Sequence, residues 1–320
     1  MTRNNIVFIL MKKKQFFFLF LLASLISCNF NTKNYTELAN TSNNGIASNI
    51  AIEVNEEKDG FLNTSESKNL TLTSWNIRDL GRTKDADEIH TIATIVRNFD
   101  IVALQEVVAK DPAGAQSVAK IADELNRMGS KWDYKISDPT QSPSVYMSER
   151  YAFLWKTAKV TLNGKPFLDK ELSEKVYREP YIASFIKKGD NKPFYIVNYH
   201  SRKYYDKPEL EITHFIDYEK RLDSKNVIIA GDFNLDENQE VWEPFYKNGF
   251  KSALHNKATT LKRKCKNGVY TNHAIDNFYF SAGLQKLNAG SIDFVKSCEN
   301  LKNARFISDH LPVFLEFKVN

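Results

Sequence analysis

The 320-residue chain is long enough for one large domain or two small ones, and its 42% hydrophobic and 12% aromatic residues can supply a substantial core. Its net charge of +5 does not by itself indicate a nucleic-acid partner, because Arg3 and Lys12–Lys14 lie in an N-terminal segment with the features of a cleaved signal. Residues 70–320 carry 37 basic and 33 acidic residues, which permits a polyanionic substrate without requiring one.

The N-terminus contains the three regions of an export signal. Lys12–Lys14 precede an apolar run over residues 16–26, which is too short for a comfortable transmembrane helix, and small residues lead to Cys28. Leu25-Ile26-Ser27-Cys28 resembles the bacterial lipobox. We therefore predict a lipoprotein signal peptide over 1–27, lipidation of Cys28, and an exported protein anchored in the bacterial cell envelope. An ordinary signal peptide, in which Cys28 has no role, is the alternative.

The segment after Cys28 differs in composition from the rest of the chain. Residues 28–69 are rich in Asn, Ser, Thr and Glu, which predicts a flexible tether with room for a short strand around Ile50–Val54. From Leu70 onward, strand-like and helix-like patterns alternate without an internal repeat or an interior linker. We therefore predict a single α/β domain over residues 70–320.

Apolar periodicity locates the elements of this domain. The predicted strands cover residues 70–75, 101–104, 151–155, 181–186, 194–198, 227–230, 275–280 and 313–317. Helices are predicted around Ile89–Phe99, where acidic residues precede a helical apolar repeat, and over Ala113–Met128 and Pro208–Leu222.

Polar residues of a restricted set of types follow or begin these strands. They stand at Asn76, Glu106, Glu149, His200, Asp232 with Asn234, and Asp309 with His310. One such residue would indicate little, because Asp or Asn after a buried strand commonly forms a turn and Glu commonly forms a salt bridge. Six segments in one chain predict a single cleft, assembled from strand ends, for metal-assisted phosphate ester hydrolysis.

Two features of these segments suggest chemical roles. In an extended segment, Asp232 and Asn234 face the same way, and a carboxylate beside an amide suits a hydrated divalent cation and a phosphate oxygen. His200 and His310 are the candidate proton carriers, although a lone histidine is more often structural. Glu149 and Asp276 are available to orient the two rings.

The same motifs, in the same order, resemble the endonuclease/exonuclease/phosphatase superfamily and, within it, the deoxyribonuclease I-like nucleases. The matches are Trp75-Asn76, Gln105-Glu106, Glu149-Arg150-Tyr151, Arg178-Glu179-Pro180, His200, Gly231-Asp232-Phe233-Asn234, Thr271-Asn272, Asp276 and Ser308-Asp309-His310-Leu311-Pro312. The resemblance implies a four-layer α/β sandwich of two packed mixed β-sheets flanked by helices. It also implies a monomeric endonuclease that acts on double-stranded DNA with Mg²⁺ or Mn²⁺, and with Ca²⁺ as a further candidate ion.

The resemblance also assigns roles to individual residues. It implies that His310, supported by Asp276, is the general base and that His200, supported by Glu149, is the general acid. Asn76, Glu106 and Asp309 would bind the metal ion, and Asp232 would position the phosphate or water. Substrate contacts would come from Arg178, Asn234, Thr271 and Asn272.

Several positions depart from the family pattern or leave alternatives open. Cys265 and Cys298 do not reproduce the disulfides of the secreted animal enzymes, so they form either a different disulfide or two buried thiols. Tyr146 stands one residue too far from Glu149 for the family's DNA-contacting tyrosine. The basic stretch 260–267 is either a phosphate-contacting loop or a solvated surface run.

Two other functions remain open at this stage. A lipid head-group phosphodiesterase or phosphatase, of the sphingomyelinase-like or inositol-phosphate type, would use the same Asp/His core. A non-catalytic lipoprotein that binds nucleic acid is the third reading.

Overall fold

The computed structural model describes residues 69–320. The predictions for the signal peptide, Cys28, the tether and the strand around residues 50–54 lie outside the described residues. Within them, none of the helices is both long enough and apolar enough to cross a membrane.

Fifteen strands and six α-helices make up the described part of the chain. In chain order, the strands are β1 Leu70–Leu80, β2 Ile101–Val108, β3 Trp132–Ile136, β4 Glu149–Lys156, β5 Val160–Leu162, β6 Phe167–Leu168, β7 Tyr181–Lys187, β8 Pro193–His200, β9 Val227–Asp232, β10 Lys251–Ser252, β11 Leu261–Lys266, β12 Val269–Thr271, β13 Asp276–Phe280, β14 Leu284–Ser291 and β15 Val313–Val319. The helices are α1 Ala86–Val96, α2 Ala113–Arg127, α3 Glu209–Ile212, α4 Tyr218–Arg221, α5 Glu243–Lys247 and α6 Leu301–Ile307.

The strands form two mixed sheets and a separate hairpin. The first sheet has the order β14-β15-β1-β2-β4-β3, and the second has the order β10-β13-β9-β8-β7-β5, with β6 also pairing with β7. Strands β11 and β12 form the two-stranded hairpin. Each main sheet contains one parallel pair, β1 with β2 and β8 with β9.

Three hydrophobic clusters show how the layers stack. The central cluster joins the inner faces of both sheets, as shown by Leu72 and Phe153 of the first sheet and Ile196 of the second. A second cluster packs α1, α2 and α6 on the outer face of the first sheet, and a third packs α3, α4 and α5 on the outer face of the second. The predicted four-layer α/β sandwich is therefore confirmed.

A buried polar contact joins the two sheets near the ends of their parallel pairs. Gln105 Nε2 on β2 donates to Asn198 Oδ1 on β8 at 2.6 Å, and Asn198 Nδ2 donates to the carbonyl oxygen of Leu104 at 3.0 Å. Buried amide groups require such partners, since leaving one unpaired costs about 1–3 kcal/mol. This amide clasp between Gln105 and Asn198 therefore favours one alignment of the sheets.

The prediction of one helix over Pro208–Leu222 is wrong. The segment contains α3, a 3₁₀ turn over Thr213–Phe215, and α4. Its buried residues, Glu211 with Ile212, Phe215 and Tyr218, follow helical spacing, so the apolar pattern does not reveal the break. The buried Glu211 carboxylate instead accepts hydrogen bonds from the Tyr199 hydroxyl at 2.6 Å and the Arg202 backbone N–H at 2.8 Å, so contacts outside the segment decide its path.

Candidate active site

Strand register places three of the predicted residues side by side. His200 at the end of β8 lies opposite Asp232 at the end of the parallel strand β9, and Asp276 at the start of β13 lies opposite Asp232 on the other side. Alternation along each strand puts these residues on the same face as Ile196 and Phe278, which belong to the core between the sheets. The three polar side chains therefore lie at the edge of the inter-sheet core.

The Asp232 carboxylate lies at the centre of the site. Its Oδ2 is 3.6 Å from His200 Nε2 and 3.7 Å from His310 Nε2. The same oxygen accepts a hydrogen bond from Asn76 Nδ2 at 3.1 Å. Both histidines therefore direct the same ring nitrogen toward one buried oxygen, although they come from different sheets.

Each histidine is oriented by a carboxylate on the opposite side of its ring. His200 Nδ1 lies 3.0 Å from both carboxylate oxygens of Glu149, and His310 Nδ1 lies 2.9 and 3.1 Å from the two oxygens of Asp276. A carboxylate at Nδ1 fixes the ring and its tautomer, which leaves Nε2 free to exchange a proton. The structure thus brings together both histidine–carboxylate pairs that were predicted from the sequence.

The surroundings of His310 strongly favour its protonated form. Burial lowers the pKa of the imidazole, but the carboxylates of Asp276 and Asp232 outweigh burial and raise the pKa to about 10. Burial raises the pKa of Asp232, and the positive charge of His310 opposes that rise. The protonation states of the two groups are therefore linked.

The second pair shows the same pattern with an added arginine. Burial lowers the pKa of His200, but Glu149 outweighs burial and raises the pKa above its usual range. Burial would raise the pKa of Glu149, yet His200 and Arg178 together hold it below its usual value. Arg178 Nε lies 3.1 Å from Glu149 Oε2. Glu149 is therefore held as a carboxylate.

Asn76 and Glu106 form the oxygen-rich side of the site. Asn76 Nδ2 also donates to Glu106 Oε1 at 3.1 Å, while Glu106 Oε2 accepts from the backbone N–H of Asp79 at 3.2 Å. The Oδ1 atom of Asn76 is buried and has no hydrogen-bond partner among residues 69–320. An orphaned amide oxygen beside a carboxylate fits a hard divalent cation, which prefers oxygen ligands.

Other candidate cation ligands have competing partners. Asp309, 31% exposed, lies 3.5 Å from both Arg78 and Arg305. Asp232, Asp276 and His310 also place oxygen and nitrogen atoms within 4.8 Å of one another. Asp276 and His310 are already paired through Nδ1, however, so the donor set around Asn76 and Glu106 fits a cation better.

Asn234 differs from the prediction in its backbone. The predicted extended conformation is wrong there, because Asn234 has a left-handed φ of 52°. Its backbone N–H donates to Asp232 Oδ1 at 2.9 Å, while Phe233 packs in the core as expected. Gly231, with φ of 150°, is required just before, since a Cβ there would lie 1.8 Å from the carbonyl oxygen of Tyr199.

The remaining predicted substrate residues occupy more peripheral positions. Arg178 donates to the carbonyl oxygens of Met147 at 3.1 Å and Ser201 at 3.2 Å, so its guanidinium is largely engaged by protein. Thr271 ends β12, and the exposed Asn272 donates its backbone N–H to the carbonyl oxygen of Thr260. In the described part of the chain, neither side chain hydrogen-bonds to the histidine–carboxylate pairs.

Three supporting residues were not predicted from the sequence. Thr259 Oγ1 donates to Asp276 Oδ2 at 2.6 Å, and Tyr151 hydroxyl accepts the backbone N–H of His200 at 3.2 Å. Ser308 Oγ donates to the Asn76 carbonyl oxygen at 2.7 Å and accepts the backbone N–H of His310. Ser308 and Tyr151 stand within recognised motifs, whereas Thr259 lies in a loop whose sequence carries no signal.

A cavity of about 670 Å³ opens beside the site. Glu106, Glu149 and Arg178 contribute to its wall. Tyr146, which is 96% exposed, lines it from the loop before β4. The unusual spacing of Tyr146 therefore still leaves its ring at the mouth of this cavity.

The chain is similar in sequence to proteins named deoxyribonucleases. The deoxyribonuclease-1-like 1 protein of Sus scrofa is 28% identical over 259 residues, which cover 77% of this chain and 80% of that protein. A deoxyribonuclease of Thioalkalivibrio sp. (strain K90mix) is 27% identical over 278 residues, covering 78% of this chain and 72% of its own length.

A solved structure has the same fold. An endonuclease/exonuclease/phosphatase family protein from Bacteroides thetaiotaomicron superposes with a TM-score of 0.57 at 16% identity, covering 79% of this chain and 98% of that one. The model of the Endonuclease/Exonuclease/phosphatase family matches residues 73–310. Together with the two histidine–carboxylate pairs, this match shows that the chain belongs to the endonuclease/exonuclease/phosphatase family, whose enzymes hydrolyse phosphate esters with divalent metals.

Proposed function

We propose that this protein is a divalent-metal-dependent endonuclease that cleaves DNA, acting as a monomer. The observation that carries the proposal is the pair of histidines, each held at Nδ1 by a carboxylate, that face one oxygen of Asp232. Phosphodiester hydrolysis needs one group to remove a proton from water and another to protonate the leaving oxygen. Relatives named deoxyribonucleases favour DNA as the substrate.

His310 and His200 would divide the proton transfers. His310, oriented by Asp276, would accept the proton of the attacking water, and Thr259 would keep the Asp276 carboxylate in place. His200, oriented by Glu149, would deliver a proton to the leaving oxygen, and its raised pKa suits this donor role. The central Asp232 would orient both rings toward the phosphate between them.

Asn76 and Glu106 would hold the cation, with Asp309 as a third ligand once its carboxylate leaves Arg78 and Arg305. We propose Mg²⁺ or Mn²⁺, with Ca²⁺ as an additional ion. When bound, the cation would stabilise charge on the phosphate and, through its own charge, lower the pKa of His310, which follows the ligand Asp309, toward the range needed for a base. Arg178, Asn234, Thr271 and Asn272 would line the path of the substrate.

Cleavage of supercoiled plasmid by the purified protein tests this function. We expect nicking with Mg²⁺ or Mn²⁺ and none with EDTA, because the reaction needs the cation at Asn76 and Glu106. Intact DNA together with hydrolysis of choline- or inositol-phosphate esters would establish the lipid head-group alternative instead. Retardation of DNA without cleavage under any metal would leave only a binding function.

We further propose that the protein is exported and anchored in the bacterial envelope through a lipid on Cys28, as its N-terminal sequence suggests. In bacteria that express the full chain, metabolic labelling with a radioactive fatty acid should mark the wild type and not Cys28→Ser. The wild type should also fractionate with membranes. Equal labelling of the two proteins, or none of either, would refute the anchor.

A further inference from the structure

A second, strongly basic cavity is lined by residues of β11 and α6 and by Arg78 of β1. It has a volume of about 440 Å³. Five of the residues that line it are cationic, namely Arg78, Arg263, Lys264, Lys302 and Arg305. The half-exposed ring of Phe306 also contributes to the wall. Such a density of one charge in a concave surface attracts anions.

Two covalently joined elements form the walls of this cavity. The hairpin β11–β12, which belongs to neither main sheet, supplies Arg263 and Lys264. A disulfide between Cys265 and Cys298 joins the hairpin to the turn before α6. Helix α6 supplies Lys302. The disulfide therefore keeps cations from two separate elements around one space.

The backbone that lines the cavity is hydrogen-bonded to the segment that carries His310. Thr260, the residue before β11, forms a bridge with His310, and the backbone N–H of Leu261 donates to the carbonyl oxygen of Asp309 at 2.7 Å. Arg305 Nη1 donates to the carbonyl oxygen of Leu261 at 2.6 Å. The cavity wall is thus built on the same β11 and α6 backbone that contacts the Asp309-His310 segment.

The charge of this cavity is only partly compensated. Arg78 and Arg305 each lie 3.5 Å from Asp309. Arg263, Lys264 and Lys302 form no ion pair within the range 69–320. Three uncompensated cations beside a site that cuts phosphate esters suit a substrate whose charge repeats along its length.

We propose that this basic cavity, braced by the Cys265–Cys298 disulfide, binds backbone phosphates of the nucleic acid beyond the bond that is cut. The inference rests on the proposed function and adds a binding site on the His310 side of the cleft. Each phosphate neutralised there releases condensed counterions, so the contacts contribute affinity that falls with salt. A concave pocket favours a projecting phosphodiester backbone over a flat lipid surface.

The double variant Arg263→Ala/Lys264→Ala tests the cavity directly. Binding of a fluorescent 20-base-pair DNA duplex in EDTA should weaken about tenfold, because two exposed ion pairs with backbone phosphates are lost. The slope of log K against log salt should become shallower by about 1.8, since each phosphate contact contributes about 0.9. Lys159→Ala/Lys188→Ala is the matched control, because these lysines flank β5 and β7 at the end of the second sheet away from His200.

The disulfide gives a second variant that leaves every cation in place. Cys265→Ser/Cys298→Ser should weaken duplex binding in the same direction, since the hairpin is no longer fixed to α6. The melting temperature of each variant, measured in parallel, identifies any variant that has failed to fold. The salt slope of the folded variants then shows whether the cavity binds backbone phosphates.

Unchanged affinity and salt slope in both folded variants would overturn the proposal. It would also be overturned by a wild type that ignores the duplex but binds phosphatidylglycerol vesicles through Arg263 and Lys264. If the wild type binds DNA through these residues but never cleaves it, the proposed endonuclease activity is rejected and the phosphate-binding role of the cavity stands. If the wild type cleaves DNA and the variants bind DNA as tightly as the wild type, only the phosphate-binding role of the cavity is rejected.

Discussion

His200→Ala and His310→Ala should each lower kcat for DNA cleavage by about 10³-fold, the middle of the range measured for general acid–base groups. Both Nε2 atoms lie close to Asp232 Oδ2, at 3.6 and 3.7 Å, so the proposed function assigns both rings to one phosphate. Because the two proton transfers belong to one reaction, the double variant should lose little more than either single variant. Plasmid nicking at saturating substrate and metal measures kcat for all three proteins.

His255→Ala is the matched control for these variants. His255 has a side chain that is 65% exposed, and its closest carboxylate, Glu237, lies 3.9 Å away. The substitution should leave kcat within about twofold of the wild type, as surface changes away from a site usually do. Full activity of either His200→Ala or His310→Ala would remove that ring from the mechanism.

Glu106→Gln should produce the second largest loss, with activity lowered at least about 10²-fold at low Mg²⁺. The substitution keeps the size of the side chain but replaces a charged oxygen ligand beside the orphaned Asn76 Oδ1. Because the substitution weakens cation binding, the variant should recover part of its activity at high metal concentration. The rate measured across a Mg²⁺ titration therefore separates a lost ligand from a lost proton carrier.

Glu240→Gln serves as the comparison, because Glu240 is exposed at the start of a 3₁₀ turn far along the chain from Glu106. Its metal titration should overlay that of the wild type. An unchanged half-saturating Mg²⁺ concentration in Glu106→Gln would show that the cation binds elsewhere, and the Asp232–Asp276–His310 group would become the better candidate.

Much of the site could be predicted because it is built from strand ends. Alternation along a strand places His200 on the inner face with Ile196, and Asp232 on the inner face with Ile228. The apolar pattern that identifies a strand therefore also indicates which polar side chain emerges beside the core. The alternation of strands and helices predicted a single α/β domain, whereas the four-layer sandwich was predicted only from the resemblance of the motifs to a known family.

The features that escaped prediction depend on contacts distant in sequence or on local backbone turns. Thr259 supports Asp276 from a loop, and no periodicity marks such a residue. Asn234 adopts a left-handed φ, which the assumption of an extended segment excluded. One helix was predicted over Pro208–Leu222 because the buried positions follow helical spacing, whereas the contacts of the buried Glu211 with Tyr199 and Arg202 leave no mark in the apolar pattern.

The amide clasp between Gln105 and Asn198 has a consequence for how the enzyme could be tuned. Of the two proposed proton carriers, His310 precedes a strand of the first sheet, while His200 ends a strand of the second. The distance between the two rings therefore depends on how the sheets are aligned. We expect a substitution at Gln105 or Asn198, which touches neither the proposed substrate nor the proposed cation, to change turnover through that alignment.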